Sequence, residues 1–112
     1  METLGHRFIA ELCGCNSAKL NVAELLQASV EAAKRARATV VEVRAYSTPR
    51  VRVFVVIAES HLITYTDPAK CSVYVDVFTC GEALEPEVAV WYLKETLGAQ
   101  EIIPLLLSLI HI

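Results

Sequence analysis

The chain has 112 residues, of which 54% are hydrophobic and 21% charged, and its formal net charge is -3. A negative charge argues against a general nucleic-acid binder, because such proteins usually carry a basic surplus. No apolar run reaches the roughly 18 residues that span a bilayer and no secretory signal pattern opens the chain, so we expect one cytoplasmic domain over residues 1–112.

The apolar content predicts that part of the surface is covered. A mean hydropathy of +0.44 is high for a protein of this size. We therefore expect a filled core together with an apolar patch that a second copy covers. The predicted assembly is a homodimer.

The cysteines and histidines do not form a metal-binding pattern. The cysteines lie at positions 13, 15, 71 and 80, without a C-x-x-C pair, and no two histidines have H-x-x-x-H spacing. We predict no metal site. A cytoplasmic chain of this length does not need disulfides, so the cysteines are predicted to be thiols, most of them in the core.

The first half of the chain reads as a strand, a helix and two further strands. Residues 5–12 end at a Gly-Cys-Asn-Ser turn and favour a strand. Asn21 and Glu24 have the spacing of a helix amino terminus, and apolar residues follow at helical intervals. Residues 39–45 are β-branched, and residues 51–58 are almost continuously apolar. We expect 51–58 to be the central strand, with both faces covered or with one face at a subunit contact.

The second half contains two strands, a helix and a last strand. Residues 62–66 and 72–79 favour strands, and in the second of these the valines alternate with Tyr74, Asp76 and Phe78. A helix is predicted between Pro86 and Gly98. Residues 102–110 favour a strand that Pro104 confines to an edge or a strand start.

The predicted order is thus β-α-β-β-β-β-α-β. This order is typical of a mainly antiparallel sheet with both helices packed on one face. The fold class is α+β, and the architecture is a two-layer sandwich.

The triplet Glu59-Ser60-His61 follows the most apolar segment and has two interpretations. In the first it is an ordinary reverse turn, which is the common outcome for a short motif. In the second, Ser60 lies on a tight turn, where its hydroxyl attacks the carbonyl of Glu59. The ester so formed eliminates to a dehydroalanine, which hydrolyses to a pyruvoyl group, an electron sink for amino-acid decarboxylation.

Three segments resemble the prokaryotic S-adenosylmethionine decarboxylase family. They read TLGHRFIAEL at residues 3–12, VVIAESHL at 55–62 and DVFTCGE at 76–82. The resemblance implies a two-layer sandwich, a dimer of self-cleaved subunits, a pyruvoyl group derived from Ser60 and cleavage after Glu59. It also implies that Cys80 is the acid that reprotonates the substrate carbon, although a cysteine at a strand end is more often a core residue.

The chain departs from the family pattern at four positions. The family has a histidine that assists processing where this chain has Tyr65, and a phenol is a poor proton shuttle at neutral pH. A second processing serine is replaced by Arg52. A tryptophan and a glutamate that shape the substrate pocket are replaced by Asp67 and Ala69, so Asp67 becomes the candidate for substrate contact.

Three functions are compatible with these observations. The first is a pyruvoyl-dependent decarboxylase of S-adenosylmethionine, in polyamine biosynthesis, or of arginine or ornithine. The second is a paralogue that does not process and acts as an inactive or regulatory partner of an active subunit. The third is an unrelated α+β binding module.

Overall fold

A six-stranded sheet and two α-helices make up the described part of the chain, residues 3–58, 60–80 and 85–111 of a computed structural model. The strands are β1 Thr3–Cys13, β2 Val40–Tyr46, β3 Arg52–Ile57, β4 Ser60–Asp67, β5 Ser72–Cys80 and β6 Glu101–His111. The helices are α1 Val22–Arg35 and α2 Pro86–Leu97. This order confirms the predicted succession of elements and the α+β class.

The sheet has the strand order β2-β3-β4-β5-β1-β6, with every neighbouring pair antiparallel. The prediction that residues 51–58 form the central strand is wrong, because β3 is second from an edge and β4 and β5 lie in the middle. Val53, Val55 and Ile57 are buried, whereas Val56 is 38% exposed. The apolar run of β3 therefore has one packed face and one partly exposed face.

The helix ends agree with the sequence signals. The Asn21 side chain accepts a hydrogen bond of 3.0 Å from the backbone N–H of Glu24 and so caps α1. Pro86 lies in the first turn of α2, and Gly98 ends this helix in the left-handed region at φ 67°. Pro104 lies in β6, which is an edge strand as predicted. No helix among the described residues is long and apolar enough to cross a membrane.

The core lies between the helices and one face of the sheet. The sheet contributes buried aliphatic side chains from β3, β4 and β5: Val53, Val55, Leu62, Val73, Val75 and Val77. The helices contribute Leu25, Ala28, Ala32, Leu93 and Leu97. Tyr74, Asp76 and Phe78 are half-buried on the other side of β5, which confirms the predicted alternation. We call this second side, which is turned away from both helices, the open face.

A buried hydrogen bond joins helix α1 to strand β4. The hydroxyls of Ser29 and Thr64 are 2.8 Å apart, and both residues are fully buried. We expect Thr64→Val to lower the free energy of unfolding by about 1–2 kcal/mol, because the Ser29 hydroxyl would lose its partner without reaching water. Urea denaturation measures this loss.

The double variant Ser29→Ala with Thr64→Val should recover much of the stability, because both polar groups are then removed together. Thr39→Val, at an exposed position outside the helices and strands, is the control and should leave the midpoint unchanged. An unchanged midpoint for Thr64→Val would show that this bond does not stabilise the fold.

Candidate active site

The Glu59-Ser60-His61 triplet is located at a tight hairpin between β3 and β4. Ile57 pairs with Ser60 and Val56 pairs with His61, so only residues 58 and 59 connect the two strands. Glu59 lies outside the described residues. The turn is shorter than the sequence suggested, since Ser60 and His61 already belong to β4. Ser60 is therefore the first residue of a central strand.

Cys80 lies at the same end of the sheet as Ser60. Strands β4 and β5 are antiparallel, and their ladder begins at the pair His61–Phe78, so the end of β5 lies beside the start of β4. The backbone of Cys80 pairs with Gly5 of β1. The side chain of Cys80 lies outside what the structure describes. The register thus brings the two candidate catalytic positions to one end of adjacent strands, which we call the Ser60 end.

The open face carries a polar cluster close to the Ser60 end. The Arg7 guanidinium donates two hydrogen bonds to the Asp76 carboxylate, from Nη2 at 2.8 Å and from Nε at 3.3 Å. Asp76 Oδ2 is also 3.7 Å from His61 Nε2. The hydrogen bond and the charge of Asp76 raise the pKa of Arg7, so the guanidinium stays charged. The rings of His61 and Phe78 form a T-shaped pair with a centroid distance of 5.8 Å. Neither Arg7 nor Asp76 was predicted from the sequence to be a site residue.

The two substituted processing positions lie together at the other end of the sheet. Arg52 on β3 pairs directly with Tyr65 on β4, and Tyr65 pairs with Tyr74 on β5. The rings of Tyr65 and Tyr74 stack with centroids 4.9 Å apart. The Arg52 guanidinium lies 4.8 Å from the ring centre of Tyr46 and donates to the carbonyl of Thr48 at 3.1 Å. These side chains form one polar and aromatic row across the open face.

This row does not contact Ser60 within the same chain. Tyr65 is the fifth residue after Ser60 on β4, which corresponds to about 16 Å along an extended strand. Asp67 lies two residues farther along, where its carboxylate is 3.9 Å from the guanidinium of Arg50. One protomer therefore brings together Ser60 and the backbone of Cys80, but it keeps Arg52, Tyr65 and Asp67 away from them.

Three cysteines with described side chains are free thiols that lie outside this cluster. Cys15 is buried, whereas Cys13 and Cys71 are half-buried, so the prediction that most cysteines are core residues holds for Cys15 alone among the three. Desolvation raises the pKa of the Cys15 thiol to about 11 and also raises that of Cys13. Among the described residues, no group of three or more His, Cys, Asp or Glu side chains could hold a metal ion.

A solved structure has the same fold. The crystal structure of the adenosylmethionine decarboxylase from Aquifex aeolicus superposes with a TM-score of 0.88 and 26% identity, covering 100% of this chain and 94% of the other. The similarity includes both helices and the whole sheet. The fold is therefore that of an adenosylmethionine decarboxylase.

The sequence gives the family directly. Residues 6–103 match the family described as S-adenosylmethionine decarboxylase. Proteins named S-adenosylmethionine decarboxylase proenzyme are 39% identical in Acidithiobacillus ferrooxidans, over 91% of this chain and 79% of that protein. The corresponding protein of Caldicellulosiruptor saccharolyticus is 45% identical over 88% of this chain and 82% of its own length. The chain belongs to the S-adenosylmethionine decarboxylase family, as the sequence motifs predicted.

Proposed function

We propose that this protein is a pyruvoyl-dependent S-adenosylmethionine decarboxylase, made as a proenzyme that cleaves itself between Glu59 and Ser60. The observation that carries the proposal is the register of the sheet. It brings the connection before Ser60 and the end of β5 at Cys80 to the same end of two adjacent strands. The names of the relatives, which are proenzymes, support the same reading.

The surroundings of Ser60 fit a pyruvoyl group formed from this residue. Cleavage before Ser60 would make it the first residue of the second fragment, and β4 would still be held by ladders to β3 and β5 on its two sides. The pyruvoyl group would supply the electron sink for loss of carbon dioxide. Cys80, at the same end, would supply the proton that returns to the substrate carbon.

We further propose that two copies pair through their open faces. This face presents large apolar side chains that are more than a third exposed: Tyr46, Val56, Tyr65, Ile103 and Leu106. A face-to-face pair related by a two-fold axis can place the far end of one sheet over the Ser60 end of the other. Arg52 and Tyr65 of the second copy would then approach the main chain of Ser60 from the open face, which they cannot reach within their own chain.

The substrate pocket differs from the family pattern where the resemblance predicts contacts. Asp67 and Ala69 replace a tryptophan and a glutamate, and a missing aromatic ring removes a stacking surface for adenine. This observation favours a second candidate function, decarboxylation of a smaller amino acid such as arginine or ornithine. The same fold and the same Ser60 chemistry would serve both.

Mass spectrometry tests maturation, and carbon dioxide release tests the substrate. We expect the 12.3 kDa chain to convert on incubation to two fragments, residues 1–59 and 60–112. The matured protein should release labelled carbon dioxide from carboxyl-labelled S-adenosylmethionine faster than from arginine or ornithine. Faster release from either of the other two would establish the second candidate.

A full-length mass that persists after prolonged incubation would contradict the enzyme assignment. It would instead identify the chain as a non-processing paralogue, and co-purification with an active subunit would then be the next measurement. Binding of S-adenosylmethionine without cleavage would show that the pocket survives in such a paralogue.

A further inference from the structure

We infer that His61, held by Asp76 and Arg7, is the base that takes a proton from Ser60 during self-cleavage. This inference rests on the proposed function. It gives His61 a role in processing that the family resemblance does not imply for this position. It answers a problem that the sequence raises, because Tyr65 stands where the family has its processing histidine.

The three side chains come from three adjacent strands and form a chain of contacts. Arg7 on β1 holds Asp76 on β5 with a two-point contact, at 2.8 and 3.3 Å. Such a fork fixes the carboxylate plane as well as its position. Oδ2, which accepts the shorter of these two bonds, also lies 3.7 Å from Nε2 of His61 on β4. Nε2 is buried and has no hydrogen-bond partner among the described atoms.

Closure of this gap would fix the tautomer of the imidazole. A shift of about 0.8 Å brings Nε2 and Oδ2 to hydrogen-bond distance, and catalytic contacts are often this loose before the reacting geometry forms. With its proton on Nε2 directed at Asp76, the ring has its lone pair on Nδ1. Nδ1 is bonded to Cγ and is therefore the ring nitrogen nearer the main chain.

The alternation of β4 places the imidazole of His61 and the side chain of Ser60 on opposite faces of the sheet. Leu62 and Thr64 are buried beneath the helices, so by strand alternation Ser60 lies on the helix side and His61 on the open face. A base on the open face can take the Cα proton of Ser60 while the side-chain oxygen leaves on the other side. An anti elimination needs the proton and the oxygen to leave on opposite sides.

After the hydroxyl of Ser60 has attacked the Glu59 carbonyl and the peptide C–N bond has broken, residue 59 is bound as an ester to the Ser60 oxygen and the amine of Ser60 is free. His61 Nδ1 accepts the Cα proton, the released electron pair forms the Cα=Cβ double bond, and the Cβ–O bond breaks. The new α-carboxylate at the end of residue 59 leaves with the bonding electrons. Asp76 stabilises the resulting imidazolium, which returns its proton to water.

Self-cleavage rates of the folded, full-length chain test the inference. We expect His61→Ala to cleave about 100-fold more slowly than the unmodified chain, the range typical of a general base. Added imidazole should raise the cleavage rate of His61→Ala at least about tenfold, which a merely structural defect would not allow. Asp76→Asn should slow cleavage by about tenfold without responding to imidazole, because the base itself is still present.

His6 provides a matched control. It pairs with Thr79 near the same end of the sheet, but it lies on β1 and is separated from β4 by β5. We expect His6→Gln to cleave within about twofold of the unmodified chain, since His6 is not the base.

Two results would overturn the inference while leaving the proposed function intact. One is a folded His61→Ala that cleaves at the rate of the unmodified chain, and the other is a slow His61→Ala that imidazole does not accelerate. Should His61→Ala fail to fold, His61→Gln decides the point, because normal cleavage in that variant excludes a base at position 61. An unmodified chain that does not cleave would contradict the proposed function itself.

Discussion

Ser60→Ala is expected to abolish both self-cleavage and decarboxylation. Alanine has no oxygen to attack the Glu59 carbonyl, so neither the ester nor the electrophilic ketone can form. We expect a single species of about 12.3 kDa by mass spectrometry and no carbon dioxide release above background, a loss larger than that of any other single change. The fold should persist, because Ser60 is only half-buried at the start of β4.

Two comparison variants make this result specific. Ser47→Ala, at an exposed position between β2 and β3, should cleave and decarboxylate normally. Cys80→Ala should still cleave but lose about 100-fold in decarboxylation, because its proposed task follows maturation. Continued fragmentation of Ser60→Ala would place the cleaved bond elsewhere in the chain, and continued carbon dioxide release would remove the pyruvoyl group from the proposed function.

Most of the fold could be predicted from local signals. The cap at Asn21, the glycine after α2 and the alternation of β5 each depend on neighbouring residues, and all three are confirmed. The edge position of β6 was also predictable, because Pro104 lacks the N–H that an interior strand needs.

The strand order could not be predicted in the same way. An apolar run such as β3 is compatible with a central strand or with a strand that has one face at a contact, and hydropathy alone does not separate them. Strands β2 to β5 are neighbours both along the chain and in the sheet, whereas β1 lies between β5 and β6. That insertion moves the centre of the sheet to β4 and β5.

In the candidate site, too, the local features were predictable from the sequence and the long-range contacts were not. The motif around Glu59 and Ser60 is contiguous, and its hairpin was recognisable. Asp76 meets Arg7 and His61 only because β5 pairs with both β1 and β4, a fact of long-range register that no local pattern contains. Likewise, the five-residue spacing of Ser60 and Tyr65 looks close in sequence but extends along one strand in the fold.

A mixed dimer tests whether position 65 of one subunit acts on Ser60 of the other. We expect a chain carrying Ser60→Ala, Arg52→Ser and Tyr65→His to accelerate cleavage of an unmodified partner by about tenfold or more, as a well-placed general base does. The reason is geometric: about 16 Å of strand separates position 65 from Ser60 in the same chain, whereas face-to-face pairing brings the partner's position 65 over the main chain of Ser60. Two affinity tags isolate the mixed dimer, and mass spectrometry follows the cleavable chain.

The reversed arrangement is the control. When Arg52→Ser and Tyr65→His are carried by the chain that keeps Ser60, and the partner carries only Ser60→Ala, cleavage should proceed at the rate of a mixed dimer without these two changes. Acceleration in the reversed arrangement alone would mean that position 65 acts within its own chain. The five-residue separation of Ser60 and Tyr65 along β4 argues against that result. Equal rates in both arrangements would contradict pairing through the open faces, because that pairing is what separates the two cases.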